Sequence, residues 1–336
     1  METKLDLANL EFDKRNFQAA MEICKNILNE NNNSIDALKI IGKSLLAERQ
    51  TKSAQLYLKK ALNLAPGDYE ILKDLGNSHQ AIGEKREAKR YFEKALSINP
   101  NYAPALANLG SIFLISNQKD NALLLLSKAT KIDPSLAPAW GNLANCYNQL
   151  GKFEKAEIAC KKSIELNPTQ FNTYFLLAHI YIQQNNLQEA SLTLRQTIKL
   201  KPDFAIAYNN LASILKDLHE LKEAELFARK AVEINPNFSE AYSTLANILK
   251  DIGEFKEAEL CARKAIKINP NFAIAYNNLA TILKEIGQLK EAELSVRKAI
   301  QIDPNFAIAY NNLASILKDV GQLIEAEALT RKAIKL

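Results

Sequence analysis

Cysteine, histidine and tryptophan are scarce in this chain of 336 residues, which holds four, three and one of them. The cysteines Cys24, Cys146, Cys160 and Cys261 lie far apart and form no CxxC pair. A disulfide framework is therefore not expected, and this usage suits a reducing, cytoplasmic location. The histidines His79, His179 and His219 suggest no metal site. Gly-rich phosphate loops, a nucleophile elbow and an HExxH pair are all missing. Neither catalysis, nor a cofactor, nor a metal is expected from these residues. No apolar run reaches the roughly 20 residues a membrane span needs, and the N-terminus has no signal-peptide core, so no membrane insertion is expected. The net charge of +5 is small and evenly spread. It argues against nucleic acid as a partner and weakly favours an acidic one.

Glycine and proline are also few, ten of each, but the prolines are spaced rather than scattered. Pro66, Pro100, Pro134, Pro168, Pro202, Pro236, Pro270 and Pro304 follow one another at intervals of 34 residues, and only Pro104 and Pro138 fall outside the series. A fixed period of this size marks a repeat architecture. Taking this proline as position 32 defines repeats 1–34, 35–68, 69–102, 103–136, 137–170, 171–204, 205–238, 239–272, 273–306 and a truncated 307–336. Position 20 is alanine in all ten, from Ala20 to Ala326, and position 8 is always glycine or alanine. Position 4 is aromatic from the fifth repeat on, as Trp140, Tyr174, Tyr208, Tyr242, Tyr276 and Tyr310.

Apolar residues at positions 4, 7, 8 and 11 follow the i, i+3, i+4, i+7 rule of one helix face, as Tyr276, Leu279, Ala280 and Leu283 show. A break near position 15, often glycine, separates this helix A from a helix B that carries Ala292, Val296, Ala299, Ile300 and Ile302. Proline at position 32 ends helix B, because the residue before a proline is pushed out of the α region. Asn or Asp at position 33, such as Asn101, Asp203 and Asn237, is expected to cap the next helix. The small residues at positions 8 and 20 predict a close approach of helices A and B. Cys146 and Cys160 fall on facing helices of one repeat, yet they read as core hydrophobes and no bridge is predicted.

In the ninth repeat the key residues are Tyr276, Leu279, Ala280, Leu283, Ala292, Ala299 and Pro304. Their spacing resembles the tetratricopeptide-repeat family, and the pattern recurs over the whole chain. The resemblance implies one all-α array, a right-handed α-α superhelix (solenoid) of ten 34-residue helix-turn-helix repeats. It also implies a concave groove lined by the A helices that holds a peptide or protein, with positions 2, 5, 6, 9, 12 and 13 facing the partner. Position 6 carries Asn108, Asn142, Asn210, Asn278 and Asn312, and position 5 adds Asn209, Asn277 and Asn311. Asparagine is a poor helix former, so this row works against propensity, while its amide offers both a donor and an acceptor to an extended main chain.

The row is similar to the asparagine ladder of the O-linked N-acetylglucosamine transferase superhelix, although Leu176 and Thr244 interrupt it. Repeats seven to ten are near-copies, so a solvated row without a partner stays open as the other reading. Position 12 carries Lys216, Lys250, Lys284 and Lys318, either a basic rail for an acidic ligand or, beside Asp217, Asp251, Glu285 and Asp319, a mixed-charge solvated face. The two-carboxylate clamp of chaperone-tail binders is matched by Lys73, Asn77 and Asn108 but not by Pro138 and Asn142, so no such clamp is expected.

At the C-terminal end, Ile324 takes position 18, which is polar in every earlier repeat. The expectation is that the polypeptide continues past Leu336, or that self-association through this uncapped end covers it. Two functional classes follow: a scaffold that binds a partner through its groove, or the substrate-recruiting arm of a larger glycosyltransferase or other group-transfer enzyme.

Overall fold

The computed structural model describes residues 3–336, among which there are twenty α-helices and no strand. By its contacts the chain divides into two compact units, Met1–Pro168 and Thr169–Leu336. The first holds α1 (Lys4–Asp13), α2 (Phe17–Glu30), α3 (Ile35–Ala47), α4 (Thr51–Leu64), α5 (Tyr69–Ala81), α6 (Lys85–Ile98), α7 (Ala103–Ile115), α8 (Lys119–Ile132), α9 (Ala137–Gln149) and α10 (Phe153–Leu166). The second holds α11 (Phe171–Gln183), α12 (Leu187–Leu200), α13 (Ala205–Asp217), α14 (Leu221–Ile234), α15 (Ser239–Ile252), α16 (Phe255–Ile268), α17 (Ala273–Glu285), α18 (Leu289–Ile302), α19 (Ala307–Asp319) and α20 (Leu323–Lys335). Odd-numbered helices are the A helices and even-numbered ones the B helices. Within each unit an A helix packs on its own B helix, and that B helix packs on the next A. No helix buries its apolar stripe without a neighbour, which is how a stack of repeats is held together.

The alanines at position 20 have no exposed surface from Ala20 to Ala292; only Ala326 shows any. Position 8 faces position 24 of helix B. A Cβ added to Gly42 would lie 2.6 Å from Leu58, one on Gly76 2.4 Å from Phe92, and one on Gly110 2.7 Å from Leu126. Where position 8 is alanine, position 24 is Cys24, Cys160, Leu194, Ala228, Ala262, Val296 or Thr330. With the exception of Leu194, each is smaller than the leucine or phenylalanine opposite a glycine. The two positions share one volume, and size lost on one helix is recovered on the other.

This pairing also accounts for Cys24 and Cys160, which fill the position-24 slot as compact apolar groups. All four cysteines are free and buried. Burial pushes the Cys24 and Cys261 thiols up to about 11 and Cys160 to about 12. These thiols are expected to resist a thiol reagent at neutral pH in the folded chain and to react fully in strong guanidinium. An acid with a raised folded pKa binds its proton more tightly when folded. The contribution is therefore intact below the ordinary value of 9.0 and is lost as pH rises towards about 12. Denaturant titrations across that window are expected to show falling stability.

Position 15 adopts positive φ in all ten repeats, at five glycines and at Arg15, Arg49, Asn117, Asn185 and His219. The backbone there reverses so that the N–H of position 16 reaches the carbonyl of position 11, as Glu84 to His79 at 2.9 Å and Gln288 to Leu283 at 2.8 Å. This is the bond pattern of a glycine-terminated helix. Left-handed geometry costs a residue with a Cβ about 1–2 kcal/mol, and glycine's extra chain freedom offsets part of that. His219→Gly, at φ 63°, is thus expected to raise stability by about 0.5–1 kcal/mol, read from the urea midpoint.

The loop between repeats corrects the capping expectation. The N-cap is position 34, and its side chain caps the helix only at Ser34 and Asp68 in these loops. Position 33 is instead the donor: its N–H reaches the side chain at position 31, as Asn101 to Asn99 at 3.1 Å and Asn305 to Asp303 at 3.0 Å. That local turn competes with capping for the same residues. The position-4 ring ties down the same loop, since Trp140 Nε1 donates to the Pro134 carbonyl at 2.9 Å and Tyr310 Oη to that of Pro304 at 3.1 Å.

Candidate functional site

Helical spacing places positions 5, 6, 9 and 12 of each A helix on the side away from the apolar 4-7-8-11 stripe. Successive A helices touch along α1 to α9 in the first unit and α13 to α19 in the second. A residue at position 6 therefore meets position 5 of the A helix before it, and the asparagines use that contact. In the second unit Asn312 Nδ2 donates to Asn277 Oδ1 at 2.7 Å. Asn278 Nδ2 donates to Ser243 Oγ at 2.9 Å and approaches the Ser243 carbonyl at 3.4 Å. In the first unit Asn142 Nδ2 lies 3.4 Å from the Ala107 carbonyl, whereas Asn108 Nδ2 donates at 2.7 Å to Asn77 Oδ1, one helical turn further on at position 9.

The row therefore has a structural job that helical spacing within one repeat does not reveal. Each of these four amides spends its NH2 on the preceding repeat. Its Oδ1 has no hydrogen-bond partner among the described residues, so a carbonyl oxygen is held in place by its own amide nitrogen. The Asn210 side chain makes no hydrogen bond to the described residues and the residue is half-buried, and the buried Oδ1 of Asn209 accepts none. Asn311 is exposed. Asn277 departs from the expectation of a partner contact: it is only 6% exposed, and its oxygen is taken by Asn312.

The lysines at position 12 lie against acceptors. Lys216 pairs with Asp217 at 3.0 Å, Lys250 with Asp251 at 2.8 Å, and Lys284 with Asp319 at 3.2 Å and the Ser315 hydroxyl at 2.7 Å. Lys318 is exposed. In the first unit the row is charged instead. Lys39 binds Asp68 at 2.9 Å and Glu70 at 2.8 Å, and Lys73 binds the buried Asp74 at 2.5 Å. Burial acts to lower the Lys39 pKa, but its bonds to Glu70 and Asp68 outweigh it and hold the ammonium above its ordinary value. Lys73, Asn77 and Asn108 thus bond to near neighbours rather than presenting an open clamp. His79 fills the position-11 core slot, where its Nδ1 lies 2.5 Å from Glu84 and its ring stacks on Tyr91.

The B helices carry a feature that apolar patterning does not reveal. Arg229 forms a two-bond pair with Glu257 of the next repeat, at 2.6 and 2.7 Å, and also meets Glu225 at 2.7 Å. Arg195 pairs with Glu223, Arg263 with Glu291, and Arg297 with Glu325 in the same register. The hydrogen bonds to glutamate raise each arginine's pKa. The groups are about two-fifths exposed, so each rung contributes about 0–1 kcal/mol, screened by salt. The signal was present in the sequence as arginine at position 25 with glutamate 28 residues after and, from Arg229 on, glutamate four residues before. Position 22 adds an exposed leucine or isoleucine to seven repeats, among them Leu56, Ile158 and Leu294. Helix α20 exposes Leu323, Ile324 and Ile334.

Among the described residues no group of three His, Cys, Asp or Glu could hold a metal, and no helix is long and apolar enough to cross a membrane. Over residues 69–269 the chain matches the tetratricopeptide family model described as the Cilia and flagella-associated protein 70 C-terminal domain. Residues 261–293 and 296–328 match a second model, described as Tetratricopeptide repeat. The first match takes in more than half of the sequence, and the chain belongs to this family of tetratricopeptide-repeat domains. It is a repeat scaffold of the type used in protein–protein interaction.

Among solved structures it is similar to the APC/C hetero-tetramer Cut9-Hcn1, with 18% identity and a TM-score of 0.63 over 89% of this chain and 59% of that one. The chain therefore spans less than two thirds of that relative. It is also similar to YrrB, described as a TPR protein with an unusual peptide-binding site, with 23% identity and a TM-score of 0.47 over 55% of this chain and 95% of that one. No curated protein sequence matches it.

Proposed function

We propose that the A-helix face holds an extended segment of a partner protein by its main chain. The observation that carries this reading is the pair of amides at Asn278 and Asn312 in the second unit, each with its nitrogen bound to the preceding repeat and its oxygen left over. An acceptor fixed in this way loses little freedom when a peptide N–H arrives, so more of the bond energy appears as affinity. Main-chain N–H groups are common to all sequences, which makes such a face tolerant of the partner's side chains. Asn210 extends the row within the second unit, whereas the Asn209 oxygen is buried beneath it. Lys216, Lys250, Lys284 and Lys318 line it with cations already balanced by carboxylates, which limits the attraction of acidic segments at a distance.

The test is a selection of random peptides on the intact chain, repeated on Asn210→Arg. The Asn210 side chain makes no hydrogen bond to the described residues, so the variant is expected to keep its fold and to block the row with a long side chain. Binders of the parent chain are expected to lose their hold on the variant. A selected pool that binds both equally well would place the binding surface elsewhere.

A further inference from the structure

A pocket of about 310 Å³ opens between α8, α9 and α10, on the side of α9 away from its asparagines. Trp140, Leu143 and Tyr147 of α9 form its floor, and Ser127, Thr130 and Lys131 of α8 face Lys155, Ile158 and Ala159 of α10 across it. We propose that this pocket takes one large apolar side chain from an acidic segment of a partner protein. This site lies on a different surface from the amide row and does not depend on it.

The argument comes from where this junction departs from the other repeats. Position 28 is leucine, isoleucine or valine in every repeat except the fourth, where it is Thr130. The Thr130 hydroxyl turns back to its own helix, donating to the Leu126 carbonyl at 3.1 Å. Position 23 has its smallest residue at Ala159. The salt ladder of the second unit is missing here, as it is throughout the first unit. Position 25 is Ser127 instead of the arginine of repeats six to ten, and position 19 is Lys155 where those repeats have glutamate. Volume has been removed from both walls, and the rung that would bridge the mouth is replaced by a small hydroxyl and a cation.

The charge at the mouth defines the ligand. Lys131 and Lys155 are exposed, and neither has a carboxylate partner among the described residues. An apolar lining with two unpaired ammonium groups at its rim complements a leucine or phenylalanine side chain flanked by aspartate or glutamate. Ile158, which is 66% exposed beside the opening, adds apolar surface for the same side chain.

Trp140 is the single tryptophan of the chain, so its emission reports this pocket alone. The experiment titrates the full chain with the blocked peptide Asp-Asp-Leu-Asp-Asp and follows Trp140 fluorescence. A saturable change is expected. Binding is expected to weaken by about ten-fold or more for Asp-Asp-Ala-Asp-Asp, for Lys-Lys-Leu-Lys-Lys, and for the Thr130→Ile variant with the original peptide. Thr130→Ile restores the aliphatic residue of the other repeats, so its fold is retained and circular dichroism checks this. Lys155→Glu, on the surface, provides a second variant with the same expected loss. No saturable change at millimolar peptide overturns the proposal. So does equal binding of the alanine or lysine peptide, or equal binding by Thr130→Ile and Lys155→Glu.

Discussion

Phe92→Ala is expected to lower the stability of the first unit by about 3–5 kcal/mol, the usual range for deleting a buried aromatic ring. The ring has no exposed surface and fills the space that Gly76 leaves in the facing helix. Gly76→Ala is expected to cost about 1–3 kcal/mol, because the new Cβ would lie 2.4 Å from the ring in a packed core. That holds even though alanine favours the helix by about 1 kcal/mol over glycine. The sign should reverse in the Phe92→Ala background. There the added methyl meets open space, the helix propensity is recovered, and the pair becomes the alanine–alanine pair found at Ala212 with Ala228 and at Ala246 with Ala262. Urea titrations followed by Trp140 emission read the unit that contains both residues, which matters because repeat arrays need not unfold in one step. Additive effects of the two substitutions would show that positions 8 and 24 do not share a volume.

Replacing Asn210, Asn278 and Asn312 together by alanine is expected to weaken a peptide selected on the chain by about 100-fold. Three lost hydrogen bonds of about 1 kcal/mol each sum to about 3 kcal/mol. The same substitutions remove the bonds to Ser243 and Asn277, so a modest stability loss should accompany the loss of affinity. Ser243→Ala separates the two effects. It removes one partner of the Asn278 amide nitrogen but leaves the Asn278 oxygen available, so stability should fall while affinity changes by less than about three-fold. Calorimetric titration gives the affinities, and urea midpoints give the stabilities. Unchanged affinity in the triple variant would remove the amide row from the binding surface.

The repeat and its helices could be read directly from the sequence, because a proline recurs eight times at 34-residue intervals and an alanine ten times in one chain. The helix boundaries followed from the glycine near position 15 and the proline at position 32. Contacts between repeats were harder to see. The partner of Asn312 lies 35 residues earlier, at an offset set by how one A helix sits on the next, and no periodicity within a repeat encodes that. The same reason hid the burial of Asn277, which shares the asparagine-asparagine pair with exposed Asn311 yet lies under the following helix. The size exchange between positions 8 and 24 was present in the residues but needed the geometry to show which two positions oppose. The arginine–glutamate ladder was visible as a spacing of four and 28 residues, and apolar periodicity alone passes over it. The capping expectation failed because asparagine serves turns as readily as caps, and the choice rests on backbone geometry one or two residues away.

The most direct test of main-chain recognition is to scan a selected peptide twice, once with alanine at each side chain and once with N-methyl groups at each backbone nitrogen. The amide row predicts that N-methylation at alternate residues lowers affinity by about ten-fold or more per site, since each removes an N–H from a fixed acceptor. Alanine substitutions should change it by less than about three-fold. Tolerance of every N-methyl group, with affinity lost on alanine substitution, would contradict a face that reads the backbone.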